Sequence, residues 1–264
     1  MAPTYYHGKG SRVILSTVDA SSSLTTATVT QNVDTPEVTC FTDDVRAYIA
    51  GQRDATITLD GMFDGSTAFT SESFASVRSA LGSTAEVLLT VIPGGPGGST
   101  VTPGSPARIA ATRITSFEIG APALNVVNVK VGTQVTGRLG YGRTLYGPGA
   151  AKTATFTGTA VDSGIVSGTT GGGIAQFHVT ASSGSVSALT IKVQHSPDNA
   201  SWSDLVSSTA SGIGSIGSGS APAAKQVSVT GTVYRYTRVN VTTFTGGASK
   251  SIRLVASFAR GSKY

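Results

Sequence analysis

The sequence predicts a mainly β protein: an N-terminal β-barrel or sandwich with one or two short helices, followed by a C-terminal Ig-like or jelly-roll-like β-sandwich. Three observations predict it. Charged residues make up 12% of the chain, against about 25% in an average domain, while helix-favouring Glu and Lys are scarce and β-branched residues dense. Apolar and polar residues alternate at period two over several stretches, as half-buried strands require. Short strands also recur between clusters of turn residues in the second half.

In chain order, Ala2–Arg12 lacks periodicity and reads as an arm, Val13–Val18 as a first strand, and Thr26–Val33 as a second that Pro36 ends. Within the next segment, VTCFTDDVRAYIAGQRDATITLDGMFDG, a short helix is expected. Asp43 and Asp44 would sit in its first turn, Val45, Tyr48 and Ile49 at three/four spacing, and Gly51 at a left-handed stop. From Asp54 the period becomes two: Ala55, Ile57, Leu59, Gly61 and Phe63 share one face, and Thr56, Thr58, Asp60 and Met62 the other.

A second helix is read from Glu72 in its first turn, the stripe Phe74, Val77 and Leu81, and the stop at Gly82. Ala85–Ile92 is apolar on both faces and is expected to be a buried strand. The run PGGPGGSTVTPGSP at 93–106 is a long loop, and two strands follow at Arg108–Ile119 and Leu124–Thr136. GRLGYGRTLYGPG at 137–149 is the strongest linker candidate, which places the domains at 1–149 and 155–264 with 137–154 between them. Beyond it, strands are read at Ala175–Thr180, Ala188–His195, Val227–Val229, Val233–Val241 and Ser251–Ala259.

The net charge of +5 hides an asymmetry: residues 1–150 carry 10 Lys and Arg against 11 Asp and Glu, whereas residues 151–264 carry 9 against 3. Residues 19–86 hold 10 acidic side chains and only Arg46, Arg53 and Arg78 as cations, the wrong sign for a duplex-binding surface. No apolar run approaches the ~20 residues of a membrane span, and Met1–Gly10 has no hydrophobic signal core, so no membrane insertion is expected.

No catalytic pattern emerges. His7, His178 and His195 lie far from any cysteine or carboxylate pair at ligand spacing, which argues against a metal site. The glycine pairs of 93–106 lack the Lys and Ser/Thr of a phosphate-binding loop, and Asp60 with Asp64 lacks a partner for hydrolysis. The chain is therefore read as a non-enzyme with no cofactor. Cys40, the single cysteine, rules out an intrachain disulfide and is expected to be buried as a small apolar residue. Trp202, Tyr234 and Tyr236 are a candidate carbohydrate contact, set against a core role for Trp202 and a shared strand face for the tyrosines.

Val38, Thr39 and Phe41, then Tyr48–Gly51 with Arg53 and Asp54, then Leu59–Gly61 with Phe63–Gly65, occur in an order and spacing that resembles the tail tube proteins of long-tailed, siphovirus-type bacteriophages. LTIKVQHSPDNASW and VYRYTRVNV resemble the small β-sandwich modules appended to virion proteins. The first resemblance implies a structural protein of the virion tail, assembled in the host cytoplasm. Its subunits would form hexameric rings, stacked into a hollow tube around a tape-measure protein and ended by terminator or tip proteins. DNA would pass through this tube transiently and without specificity at infection. Asp43, Asp44, Asp54, Asp60 and Asp64 are then the candidate acidic lumen or interface residues, since an acidic lumen lets phosphates slide past. The alternative reading is a receptor- or carbohydrate-binding or decoration protein of the virion.

Overall fold

The computed structural model describes residues 8–42, 44–63, 75–95, 100–123, 125–168, 171–207 and 223–261. Among them the fold is almost entirely antiparallel β. The strands of the first half are β1 (Arg12–Leu15), β2 (Val18–Asp19), β3 (Leu24–Val33), β4 (Arg53–Met62), β5 (Val87–Ile92), β6 (Pro106–Gly120), β7 (Asn128–Val135) and β8 (Gly140–Tyr146). Those of the second half are β9 (Phe156–Thr157), β10 (Val161–Asp162), β11 (Gly173–Ser183), β12 (Val186–Ser196), β13 (Ser203–Ser207), β14 (Ala224–Val229), β15 (Tyr236–Gly246) and β16 (Ser251–Arg260). One helix, α1 (Ala75–Ser79), lies between β4 and β5.

The chain forms two compact units that do not divide at a single point: one gathers 1–22, 87–111 and 139–264, the other 23–86 and 112–138. The expected boundary near residue 149 therefore falls inside the first unit. The expected linker is also partly a strand, because β8 pairs with β6 from Pro106 to Ile109 and with β16 from Ala256 to Phe258, and Leu145 is fully buried. Its glycines serve packing. A Cβ at Gly142 would lie 2.3 Å from the Phe258 carbonyl oxygen, so only glycine lets β8 come this close to β16.

In the first unit, strands run in the order β14-β11-β16-β8-β6-β5-β1-β2. This sheet curls on itself, since Ile14 of β1, Ile92 of β5, Ile109 of β6, Ile174 of β11 and Val255 of β16 share one core cluster. Period two then assigns the faces of β11. Ile174, Gln176 and His178 point into the curl, and Ala175, Phe177 and Val179 point outward into a second core. That second core is closed by the other sheet, β10-β15-β12-β13, through Leu189, Ile191, Val193, Val239 and Val241. Burial on both faces makes β11 the central element of this unit.

Thr90, Gln176 and His178 form a hydrogen-bonded cluster inside the curl, whereas the buried Thr144 Oγ1 and Ser257 Oγ have no hydrogen-bond partner among the described residues. Thr90 Oγ1 lies 2.8 Å from both Gln176 Oε1 and His178 Nε2, and His178 Nδ1 is 2.7 Å from the Ser16 carbonyl. A carbonyl only accepts, so Nδ1 carries the proton, and the single Thr90 hydroxyl hydrogen, donated to Gln176 Oε1, is the one that also faces Nε2. Gln176 Nε2 donates to the Ala110 carbonyl at 2.8 Å and to Gln226 at 2.7 Å. Burial without a countercharge lowers the His178 pKa to about 4, against the pull of the Ser16 hydrogen bond.

In the second unit, β3 and β4 form a ten-residue hairpin, β4 pairs with β7, and β7 with the second half of β6. Ala55, Ile57 and Leu59 are buried on one face of β4, as are Val129 and Val131 on β7. Thr133 is buried beside them and donates to the Ile57 carbonyl at 2.9 Å. Val77 of α1 is also buried, whereas Glu72 and Phe74 of the expected second helix lie outside the described residues.

Candidate assembly surface

Beyond the Val33 and Arg53 pair, the β3–β4 hairpin continues as an arm spanning residues 34–52. Asp34 N donates to the Gln52 carbonyl at 2.9 Å, Gly51 N to Asp34 at 2.6 Å, Ile49 N to Pro36 at 3.1 Å and Val38 N to Ala47 at 2.9 Å. A bridge joins Glu37 to Tyr48. Thr39 secures the far end, donating to Glu37 at 2.7 Å and accepting from Ala47 N at 3.0 Å.

This arm replaces the short helix expected at Asp43–Gly51. Cross-strand bonds engage the backbone groups that a helix would have used. Gly51 has no left-handed conformation; a Cβ there would lie 3.0 Å from the Asp34 carbonyl oxygen and 3.3 Å from Pro36 Cδ, so its role is close approach between the two limbs. The three/four spacing of Val45, Tyr48 and Ile49 does not mark a buried stripe, because all three are exposed. Cys40, expected in a core, is exposed on the same arm.

Phe41 is fully exposed, Val45 is 77% exposed, and Val38, Tyr48 and Ile49 are each about half exposed. These exposed apolar side chains lie on a hydrogen-bonded arm.

Three of the five candidate acidic residues fall among the described residues. Asp43 and Asp64 lie outside the described residues, and Asp44 is exposed on the arm. Asp54 and Asp60 share one face of β4, separated by Thr56 and Thr58. Asp54 Oδ1 accepts from Ala55 N at 2.8 Å and also from Gln134 Nε2. Asp60 stands opposite Lys130 in register, and Lys130 opposite Glu118, so the cation is flanked by two carboxylates. Thr26, Thr28 and Thr30 of β3 continue this face beside β4. The result is a hydroxyl-rich surface with alternating charge.

Each aromatic candidate meets a polar or charged side chain. The Arg238 guanidinium lies 3.9 Å from the Trp202 ring centroid and donates to Gln194 at 3.0 Å, which covers one face of the indole. Tyr234 stacks on His195 at 4.6 Å, and Tyr236 opens β15 with Arg235 at 5.3 Å from its ring. Nearby, Arg235 forks onto both oxygens of Asp162 at 2.7 Å and, with a hydrogen bond from Gly164 N, lowers the Asp162 pKa to about 2. Among the described residues, no group of three or more His, Cys, Asp or Glu side chains is placed to hold a metal ion.

No protein-family model matches the chain, and no curated protein matches it in sequence. Solved structures overlap it in part. The tail of an empty gene transfer agent particle is 16% identical at a TM-score of 0.38, covering 52% of this chain and 98% of its own. The SPP1 tail tube is 13% identical at 0.39, covering 51% and 78%. The SPP1 Dit protein, described as a hub of the adsorption apparatus in phages that infect Gram-positive bacteria, is 9% identical at 0.37, covering 95% and 98%.

Proposed function

We propose that the protein is a structural subunit of a bacteriophage tail that assembles with copies of itself through the β3–β4 arm. The observation that carries this reading is the arm itself: its backbone is held by four cross-limb bonds while Phe41, Val45, Tyr48 and Ile49 face solvent. A monomer gains nothing from ordering such a row. A neighbouring copy that covers it gains apolar burial at roughly 25 cal/mol per Å², repeated at every contact of a ring or tube.

The sequence resemblance supplies the geometry proposed for that assembly, namely hexameric rings stacked into a tube around a tape measure and bounded by terminator or tip proteins. The hydroxyl-rich face of β3 and β4, whose Lys130 is matched to Asp60 and Glu118, is the proposed lumen lining. The carboxylates opposite Lys130 oppose phosphate binding there, and Arg113, exposed opposite Gln134, is a cation of this face that passing DNA would meet. No catalytic step is assigned.

Negative-stain electron microscopy of the concentrated full chain, beside the Phe41→Ser/Val45→Ser/Ile49→Ser variant, tests this. The wild type should form rings or tubes and the variant, equally folded by circular dichroism, should not. A wild type that remains monomeric at every concentration, or a variant that assembles as well, would overturn the reading.

A further inference from the structure

At one end of the first unit's curl, a groove of about 590 Å³ opens between the β1–β2 turn, the Pro148–Ala150 loop, a bulge in β11 and the start of β16. The geometry points to this groove as a binding site for a phosphate group carried on a small polyol or sugar. This inference is independent of self-assembly.

Two arginines define the chemistry. Arg12 and Ile14 share one face of β1, Arg253 and Val255 share one face of β16, and Ile14 and Val255 meet in the same core cluster. Arg12 and Arg253 both line the groove. Among the described residues neither guanidinium is in an ion pair. Planar guanidinium forks with uncommitted donors in a concave site suit tetrahedral oxyanions. The one carboxylate in the lining, Asp19, is turned to Ser21, accepting from its backbone N at 3.1 Å and from its hydroxyl.

The walls are set before any ligand arrives. Ser16 holds the tight β1–β2 turn at φ 47°, its N donates to the Leu88 carbonyl at 2.6 Å, and its own carbonyl is bonded by buried His178. This turn places Thr17 and Asp19 on the groove. Opposite, the register of β11 on β16 slips between Val179 and Ala181, and the extra residue, Thr180, also lines it. Preorganisation of this kind lowers the ordering cost of binding. The groove falls in the range of about 300–1,000 Å³ usual for small-ligand sites, more space than a bare oxyanion fills. Thr17 and Thr180 in the same lining offer hydroxyls to those of a polyol.

The test is titration of the full chain at low ionic strength with glycerol 3-phosphate, inorganic phosphate, glucuronate and glycerol, followed by calorimetry and amide NMR. Glycerol 3-phosphate should saturate and shift the Thr17 and Thr180 amides, while glycerol alone should not. Arg253→Gln, at an exposed side chain, should weaken binding by about tenfold or more, and Arg12→Gln likewise. Tighter binding of the ester than of inorganic phosphate assigns the site to phosphorylated polyols, and equal binding assigns it to free phosphate. Absence of shifts at millimolar glycerol 3-phosphate, affinity unchanged in Arg253→Gln, or preference for glucuronate over both phosphates would overturn the proposal.

Discussion

In the first unit β11 is buried on both faces, with Phe177 in one core and Gln176 and His178 in the other. In the second, β3 and β4 bury only one face of their ladder and then run on into an arm whose apolar side chains meet solvent. The contrast separates two uses of the same residue types. Val, Ile and Phe inside the curl and its neighbouring sheet hold the monomer together, whereas Val45, Ile49 and Phe41 contribute little to the monomer and are available to a partner. Stability and association should therefore respond to different substitutions.

The sharpest division comes from paired aromatic truncations. Phe177→Ala removes a ring that is 1% exposed and should cost about 3–5 kcal/mol in urea unfolding. Phe41→Ala should change the same midpoint by less than about 0.5 kcal/mol. A comparable loss from both would erase the distinction between the units.

Acid offers a second test, confined to the first unit. The folded His178 pKa is lowered to about 4 from an ordinary 6.5. Between those values the unfolded chain binds the extra proton, so stability is full above about pH 6.5 and declines as pH falls toward 4, by on the order of 3 kcal/mol. Urea midpoints at pH 7.5 and 4.5 measure it, and His178→Gln should flatten that slope. Next in size, Thr90→Val removes the hydroxyl that lies between Gln176 Oε1 and His178 Nε2 and should cost about 1–3 kcal/mol.

The smallest effect on global stability is expected from Gly51→Ala, where the added methyl must displace the Asp34 carbonyl 3.0 Å away. Faster exchange at Ile49 and Gly51 amides, with the urea midpoint nearly unchanged, is the expected signature. A large drop in the midpoint would mean the arm is part of the cooperative core.

Strand existence was legible wherever period two was long. The alternation from Ala55 to Met62 and from Val129 to Val135 reads directly onto β4 and β7, and the both-face apolar run at Val87–Ile92 onto buried β5. The arm was misread because three/four spacing, two acidic residues and a glycine imitate a capped helix. What decides the matter is pairing between 34–38 and 47–52, a non-local fact absent from either limb. Residues 137–149 were misread because glycine in a strand and glycine in a linker look alike until the opposing backbone of Phe258 is known. The discontinuous units share that cause, since strands 87–92 and 140–146 are claimed by partners far along the chain. Of the acidic candidates, composition showed their number but not that Lys130 stands between Asp60 and Glu118. Gln176 and His178 carried no signal of burial, because the second core over β11 comes from strands read only as a separate sandwich.

Hydrogen exchange of the arm, measured on dilute and on concentrated protein, tests the division of labour most directly. The account predicts that the amides of Val38, Ala47, Ile49 and Gly51 exchange readily in the dilute monomer and become protected on concentration. Those of β11 and β16 should be slow in both. Arm amides that exchange at the same rate at every concentration, or that are already as protected as β11 in the monomer, would contradict it.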